Sequence, residues 1–267
     1  MLRLLILLFS SCGLDLMTAS SVAFFYALEA DGARFEKENG PAIRSFELSG
    51  TPVQEYLVSG HKVYAMLMGS GTTSTTKNVT ALVTKYPIDH LVSIGPVGAI
   101  SEALTSDWFR VEKVVPWQSG TWTEAGFKPR PTWKIQLEEL GPPLDHPPIS
   151  VASGDAFIAS ATKREEIAKI TGSQVVDMNL IGIMTSLTSQ PINQVHFRII
   201  SDNADENASQ EFNAFRKNYK GEGAIIAKAW IDQLPEDRTS PENYKNLRKI
   251  LRGTSAPTPP TPLKSAK

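Results

Sequence analysis

The segment "QVHFRIISDNADE" (194–206) joins an apolar run to a cluster of acids. Residues 194–200 have the composition of a buried strand, and Ser201 and Asp202 follow it directly. A buried carboxylate is costly unless it has hydrogen-bond partners, a proton or a chemical role. The segment therefore predicts a core strand that delivers a functional carboxylate at its end.

Short apolar runs alternate with helix-like segments along the rest of the chain. Strands are predicted at 21–28, 62–68, 90–95, 113–117, 149–153, 174–178 and 194–200. Helices are predicted at 74–86, 160–170, 179–189 and 210–234, the last with a break at Gly221 and Gly223. This alternation predicts a single three-layer α/β/α domain with a mixed, largely parallel central sheet. In such sheets ligands bind at the carboxyl ends of the strands, where Asp202 is expected.

Residues 117–148 differ from their surroundings because they are rich in Trp, Gly and Pro. They predict loops with at most one short helix near 133–140, and long loops in a compact domain are often binding loops. Trp117, Trp122, Phe127 and Trp133 would then either cover a pocket or fill the core or a subunit interface. We favour the core or interface.

Composition narrows the function classes. The chain has 267 residues, 41% hydrophobic and 21% charged, with a formal net charge of -1. These values are typical of a globular protein and lack the basic excess of a nucleic-acid-binding surface. Cys12 is the single cysteine and the four histidines are scattered, which argues against an internal disulfide and against a metal site. We therefore expect no metal, no cofactor and no nucleic-acid partner.

The two ends of the chain stand apart from the predicted domain at 21–235. Residues 1–20 contain "MLRLLILLFSSC", either a short lipoprotein-type signal ending at Cys12 or a start placed too early, and we favour the second. A cytoplasmic protein is then expected, with a membrane tether through lipidated Cys12 as the alternative. No other segment is long and apolar enough to cross a membrane. Residues 236–267 form a tail, Pro-rich and expected to be disordered from 254.

Several polar motifs follow the predicted strands. "MGSGTTST" (68–75) precedes a helix and predicts either an anion cradle or an ordinary tight turn. "ALEADGARF" (27–35) places two acids after the first strand, where they would also suit a helix start. "VASGDAFI" (151–158) and "VVDMNLIGI" (175–183) end two further strands.

These segments in this order resemble the methylthioadenosine/S-adenosylhomocysteine nucleosidases. That family belongs to the nucleoside phosphorylase and nucleosidase superfamily, which also contains futalosine-type hydrolases. The resemblance runs from about Val22 to Leu234, is strongest at "VASGDAFI" and "IISDNADENASQEFNAF", and is weak across 105–148. It implies a nucleoside phosphorylase-like fold and hydrolysis of the N-glycosidic bond of a 5′-modified adenine nucleoside.

The resemblance also implies catalytic roles. Asp202 would be the general acid that protonates or hydrogen-bonds N7 of the leaving purine, with Ser201 and Arg198 supporting it. Asp31 occupies the place of the water-activating glutamate. General chemistry agrees, because cleavage expels an adenine anion unless the base receives a proton, and burial raises the pKa of an acid towards working pH.

Substrate-binding roles follow from the same resemblance. Phe157 would stack near the base, and backbone groups of Phe157 and Ile158 would read its edge. Met178 would line the ribose, Gly98 would let the backbone approach the sugar, and Phe212 would close the apolar side around the 5′ substituent. The family pairs through helices and loops beside the active site, so we expect a homodimer.

Two positions depart from the family pattern. Asn179 stands where a glutamate normally grips the ribose hydroxyls, which removes a negative charge beside the cationic sugar. Asp31 is one methylene shorter than the expected glutamate. Two alternatives therefore stay open beside the nucleosidase. One is a purine nucleoside phosphorylase, although no GDxxR-like phosphate motif follows the first strand, and the other is a non-catalytic nucleoside-binding protein.

Overall fold

The computed structural model describes residues 20–101, 104, 106–136, 140 and 144–235. The predicted signal with Cys12 and the predicted tail at 236–267 lie outside the described residues. Within those ranges twelve strands are present: β1 Ser21–Tyr26, β2 Arg44–Leu48, β3 Thr51–Val58, β4 His61–Leu67, β5 His90–Ala99, β6 Trp108–Pro116, β7 Gly120–Thr123, β8 Gly126–Pro129, β9 Trp133–Lys134, β10 Pro148–Ser153, β11 Val175–Asp177 and β12 Asn193–Asp202. The described residues also form six helices: α1 Glu29–Asn39, α2 Gly71–Lys85, α3 Ala161–Thr171, α4 Leu180–Leu187, α5 Ala208–Asn218 and α6 Glu222–Ile231.

The centre of the sheet is parallel. Strands β12, β5, β1 and β4 lie side by side in this order and run in the same direction. β6 runs antiparallel to β12, β10 and β11 continue parallel to β6, and β3 and β2 extend the opposite edge as antiparallel strands. The end of β11 also pairs with the end of β5, where Val176 lies opposite Gly98. The predicted mixed sheet is confirmed.

Helices cover both faces of this sheet, and β1 explains how. All six β1 residues are buried, and alternate side chains point to opposite faces. Ala23 and Phe25 pack in the core that includes α2 and α4, whereas Val22 and Phe24 pack in the core that includes α1 and α6. A strand buried on both faces needs an almost continuous apolar sequence, which "SVAFFY" provides. The predicted three-layer arrangement follows from these two cores.

All seven predicted strands and the helices at 74–86, 160–170 and 179–189 have counterparts, but the segment 29–58 was not predicted. It forms α1, β2 and β3. α1 is strongly polar, with only Asp31, Gly32 and Phe35 buried, and β2 is mostly exposed. Neither element therefore carries the apolar run or regular spacing by which the others were found.

The loop prediction for 117–148 needs correction. β7 and β8 form a hairpin, and β9 pairs with β6 through Trp133 and Lys134. A helix beginning at 133 is therefore wrong, because these two residues extend a sheet edge, and residues 137–139 lie outside the description. Trp133 also packs against the main core, so the strand buries part of its indole ring and no helix is needed to do so.

The predicted break in the last helical segment is confirmed at residues 219–221. α5 ends at Asn218, α6 starts at Glu222, and Gly221 has a φ of 79°, which favours glycine. This break turns the chain so that α6 packs on α1 while α5 stays beside β12. In the part of the chain that the structure describes, no helix combines the length and the apolar character needed to span a bilayer.

Candidate active site

A cavity of about 540 Å³ opens at the carboxyl ends of the parallel strands. Its wall combines the segments that follow β1, β4, β10 and β11 with the ends of β5 and β12 and one face of α5. Asp31 and Arg198 do not line the cavity. The other predicted site residues all do: Gly98, Phe157, Ile158, Met178, Asn179, Ser201, Asp202 and Phe212. Segments that are distant in sequence therefore meet at the carboxyl ends of the strands, where the predicted α/β fold is expected to bind a ligand.

Asp202 reaches the cavity through an irregularity in β12. The pairing with β5 shifts after Ile200, so that Asp202 lies opposite Gly98 and Ser201 is an extra residue. Asp202 Oδ1 accepts a hydrogen bond from the Ala204 amide at 3.0 Å, and Oδ2 lies 2.8 Å from Ser201 Oγ. Burial raises the pKa of Asp202, and these two hydrogen bonds offset part of that rise. The geometry suits a carboxyl group that holds and releases a proton.

Gly98 makes room for that carboxyl group. A Cβ at this position would lie 2.8 Å from Asp202 Oδ1 and 3.1 Å from the Ala204 side chain. Glycine is therefore required at position 98, because the Asp202 carboxyl group lies so close to the backbone there.

Arg198 acts behind the cavity rather than in its wall. Its side chain is 1% exposed, and its Nε donates to Asp177 at 3.3 Å while Nη1 donates to the Ser93 carbonyl, also at 3.3 Å. Asp177 lines the cavity and accepts a further hydrogen bond from the Leu180 amide at the start of α4. Arg198 therefore supports the site through Asp177, a residue that the sequence did not single out.

Asn179 uses its amide group to hold a neighbouring loop. Its Nδ2 donates to the Gly69 carbonyl and to Thr75 Oγ1, each at 2.8 Å. These bonds join the start of α4 to the glycine loop before α2 and leave the Asn179 carbonyl oxygen as the side-chain group for a ligand.

The two acids after β1 have different surroundings. Asp31 is fully buried outside the cavity wall, where the Tyr219 hydroxyl donates to its Oδ1 at 2.6 Å. Burial is the main cause that raises the pKa of Asp31 to about 7. Glu29, by contrast, is exposed and lines the cavity. The two lie about 200° apart around α1, so both cannot face the same side.

Two aromatic rings flank the cavity. Phe157 is 43% exposed, and its ring centroid lies 5.8 Å from that of Phe212. The Arg216 guanidinium, one turn along α5, lies 5.8 Å from the Phe212 centroid. Arg216 also lines the cavity and was missed because it comes directly after the segment of strongest resemblance, which ends at Phe215. The spacing of four residues from Phe212 is the signal that would have found it.

The glycine loop before α2 is closed by a carboxylate. The Thr72 amide, in the first turn of α2, donates to Asp155 Oδ1 at 2.7 Å. A Cβ on Gly71 would meet the same oxygen at 2.6 Å. The Thr72 amide, one of the groups at this helix start that could bind an anion, is therefore already satisfied by a protein carboxylate.

The aromatic residues of 117–133 do not line the cavity. Trp117 and Trp133 pack against buried clusters, as the core interpretation predicts. Trp122 is 79% exposed and contacts Phe127 within the β7–β8 hairpin, with ring centroids 5.3 Å apart.

Comparison with known proteins identifies the family of this chain. The sequence profile described as "Phosphorylase superfamily" matches residues 21–232. The chain belongs to the phosphorylase superfamily. A 5′-methylthioadenosine/S-adenosylhomocysteine nucleosidase of Staphylococcus aureus is 22% identical over 205 residues, which are 70% of this chain and 90% of that protein.

Solved structures of the superfamily share the fold. A futalosine hydrolase mutant of Helicobacter pylori superposes with a TM-score of 0.70 at 17% identity, covering 80% of this chain and 100% of that one. An H. pylori methylthioadenosine/S-adenosylhomocysteine nucleosidase in complex with a pyrrolo-pyrimidine pyrrolidinol compound gives the same score and identity, covering 81% of this chain and 99% of that one. The predicted nucleoside phosphorylase-like fold is confirmed.

Proposed function

We propose that this protein hydrolyses the N-glycosidic bond of a 5′-modified adenine nucleoside and releases adenine. The observation that carries the proposal is Asp202, a buried carboxyl group with a raised pKa in the wall of a cavity of ligand size. The candidate substrates are methylthioadenosine, S-adenosylhomocysteine and 6-amino-6-deoxyfutalosine. The names of the similar Staphylococcus and Helicobacter proteins support this substrate class.

In the proposed first step, protonated Asp202 gives its proton to N7 of the purine. The bond between C1′ and N9 breaks, its electron pair stays on the base, and an oxocarbenium-like sugar cation remains. Ser201 Oγ can donate its single proton to Asp202 Oδ2 or to the Val97 carbonyl at 3.1 Å. The hydroxyl can therefore turn towards Asp202 when that group becomes a carboxylate, which stabilises the product of the proton transfer.

In the second step a water molecule attacks C1′ and loses a proton. We assign the acceptor of that proton to Glu29, because this carboxylate lines the cavity whereas Asp31 lies behind the wall. Asp177, held by Arg198, provides a further carboxylate near the sugar cation, and Asn179 contributes its carbonyl oxygen. Phe157, Ile158, Met178, Gly98 and Phe212 keep the binding roles proposed for them.

Hydrolysis is favoured over phosphorolysis by the charge around the cavity. Asp155 occupies the Thr72 amide in the first turn of α2, and its carboxylate would repel a phosphate there. Among the described residues that line the cavity, Arg216 is the single cationic side chain. The non-catalytic alternative is favoured by one observation, the missing carboxylate at Asn179.

Adenine release measured with each of the three nucleosides, with and without phosphate, tests the proposal. We expect free adenine and the free sugar at a rate that phosphate does not raise. A strict requirement for phosphate, with a sugar 1-phosphate as product, would establish a phosphorylase. Tight nucleoside binding without adenine release would establish a binding protein.

Three further expectations belong to the same proposal. We propose a homodimer, and we keep a cytoplasmic location, which rests on the sequence alone. Membrane attachment through Cys12 remains its alternative. Hydrolysis of 6-amino-6-deoxyfutalosine would place the reaction in menaquinone biosynthesis.

A further inference from the structure

The wall that α5 contributes to the cavity carries an unneutralised positive charge. Phe212 and Arg216 are four residues apart on one face of the helix, and both line the cavity. Among the described residues no carboxylate forms an ion pair with Arg216, and its guanidinium lies 5.8 Å from the centroid of the Phe212 ring. That distance is near the outer limit of a cation–π contact, which leaves the N–H groups of the guanidinium for a ligand.

The other charges of the cavity do not compensate Arg216. Asp177 is paired with Arg198, and burial favours the neutral form of Asp202. Glu29 is the remaining carboxylate of the wall and is exposed at the start of α1. A ligand that reaches the α5 wall therefore meets a planar guanidinium beside an aromatic ring. A guanidinium binds carboxylates through two parallel hydrogen bonds.

We propose that Arg216 binds a carboxylate at the far end of the 5′ substituent and makes the protein prefer such nucleosides over those that lack this carboxylate. This inference rests on the proposed function, which places the purine at Asp202 and leaves the α5 wall for the substituent. The carboxylate could belong to an amino-acid thioether, as in S-adenosylhomocysteine, or to a carboxyaryl group, as in 6-amino-6-deoxyfutalosine. Methylthioadenosine lacks it.

The test compares each carboxylate-bearing nucleoside with the same nucleoside lacking that carboxylate. The kcat/KM for adenine release is measured for S-adenosylhomocysteine and its decarboxylated analogue, and for 6-amino-6-deoxyfutalosine and its decarboxylated analogue. We expect a preference of about tenfold for the carboxylate in one pair, the usual value of a hydrogen bond to a charged group. The pair that shows it identifies the amino-acid or the carboxyaryl substituent.

Substitution assigns the preference to one side chain. Arg216→Met should bring the ratio within the responsive pair close to one. Lys217→Met is the matched control, because Lys217 follows on the same helix, is exposed and does not line the cavity, and it should keep the wild-type ratio. An unchanged ratio in Arg216→Met, or no preference in either pair, would overturn the inference.

Failure of the proposed function gives a different result. If no nucleoside releases adenine, the hydrolase proposal fails, and dissociation constants for the same four nucleosides then provide the ratio. A carboxylate preference in binding that Arg216→Met abolishes still supports the inference. Equal binding within both pairs overturns it.

Discussion

Ser201 Oγ lies between two acceptors, Asp202 Oδ2 at 2.8 Å and the Val97 carbonyl at 3.1 Å. A hydroxyl group donates one proton at a time, so its choice of acceptor depends on the charge of Asp202. Donation to the carboxylate stabilises the ionised form and lowers the pKa of Asp202, against the larger effect of burial. Ser201 thus adjusts the pH at which the proposed acid loses its proton.

Replacing Ser201 by alanine should move the pH profile upwards. The proposed reaction needs protonated Asp202, so kcat falls as pH rises through the pKa of this group. Ser201→Ala removes a donor that favours the ionised form, which raises that pKa and shifts the fall in kcat to higher pH. Ser201→Thr keeps the hydroxyl and is the control. A shift to lower pH, or an equal shift in the threonine variant, would contradict this role.

Asp31 has a separate effect on stability. The pKa is raised to about 7 in the folded protein, mainly by burial, from an ordinary value of 3.8. The folded state therefore holds this proton more tightly than the unfolded state does. The stabilisation is fully present below pH 4 and is lost as pH rises from about 4 to about 7.

Asp31→Asn should remove this dependence. The difference in unfolding free energy, wild type minus variant, should decrease by about 1.4 kcal/mol per pH unit within that window. Above pH 8 the difference should be constant. Urea unfolding of both proteins from pH 4 to 9 measures it, and a difference that does not change with pH would show that Asp31 titrates normally.

At the scale of elements, Gly221 sets the path from α5 to α6. Its φ of 79° lies in the left-handed region, and a Cβ there would meet the Ala30 carbonyl and the Arg34 side chain of α1. Gly60, in the turn between β3 and β4, has the same φ of 79° but nothing within 4 Å of its Cβ position. A substitution at Gly60 would therefore cause backbone strain alone, whereas one at Gly221 would cause the same strain together with a steric clash.

The pair Gly221→Ala and Gly60→Ala tests this separation. Gly60→Ala should lower the unfolding free energy by about 1–2 kcal/mol, the strain of a left-handed residue. Gly221→Ala should cost at least about 2 kcal/mol more, because α6 must also move away from α1. Urea unfolding of both variants measures the costs, and equal values would mean that α1 and α6 separate easily.

The elements also show what the sequence could predict. β1 was found because it is apolar over almost its whole length, and β12 because apolar residues dominate its centre. The break at Gly221 was found because two glycines interrupt a helix. α1 was missed because it is polar, and its phase decides which acid faces the cavity. Glu29 and Asp31 are two residues apart in sequence. Which of them faces the cavity depends on the residue at which α1 begins, and the sequence did not predict this helix.

At the scale of the whole molecule, the position of the site was predictable and part of its electrostatics was not. Asp202 and Gly98 meet because β12 and β5 are parallel neighbours that end at the same edge of the sheet. The pairing of Asp155 with the Thr72 amide of α2 joins residues 83 positions apart, and no local pattern encodes it.

The exposed β7–β8 hairpin predicts where two copies meet. Trp122 is 79% exposed, and such a large apolar side chain is typical of an interface. Light scattering should give twice the chain mass of 29.2 kDa at micromolar concentration. Trp122→Ser should weaken the dimer at least about tenfold. Leu57→Ser, at an exposed leucine of β3, should leave it intact. A monomeric mass for the wild type would contradict the proposal.

The most direct test of the proposed chemistry is the rate of adenine release by Asp202→Asn. Asparagine keeps the shape and one hydrogen bond to the purine but cannot deliver a proton, so kcat should fall by about 10²–10⁴-fold. Adenine binding should survive in part through Phe157. Asp205→Asn is the matched control, since this nearby acid does not line the cavity, and it should retain the wild-type rate. A folded Asp202→Asn variant with a rate near wild type would show that the carboxyl group at the end of β12 is not the general acid.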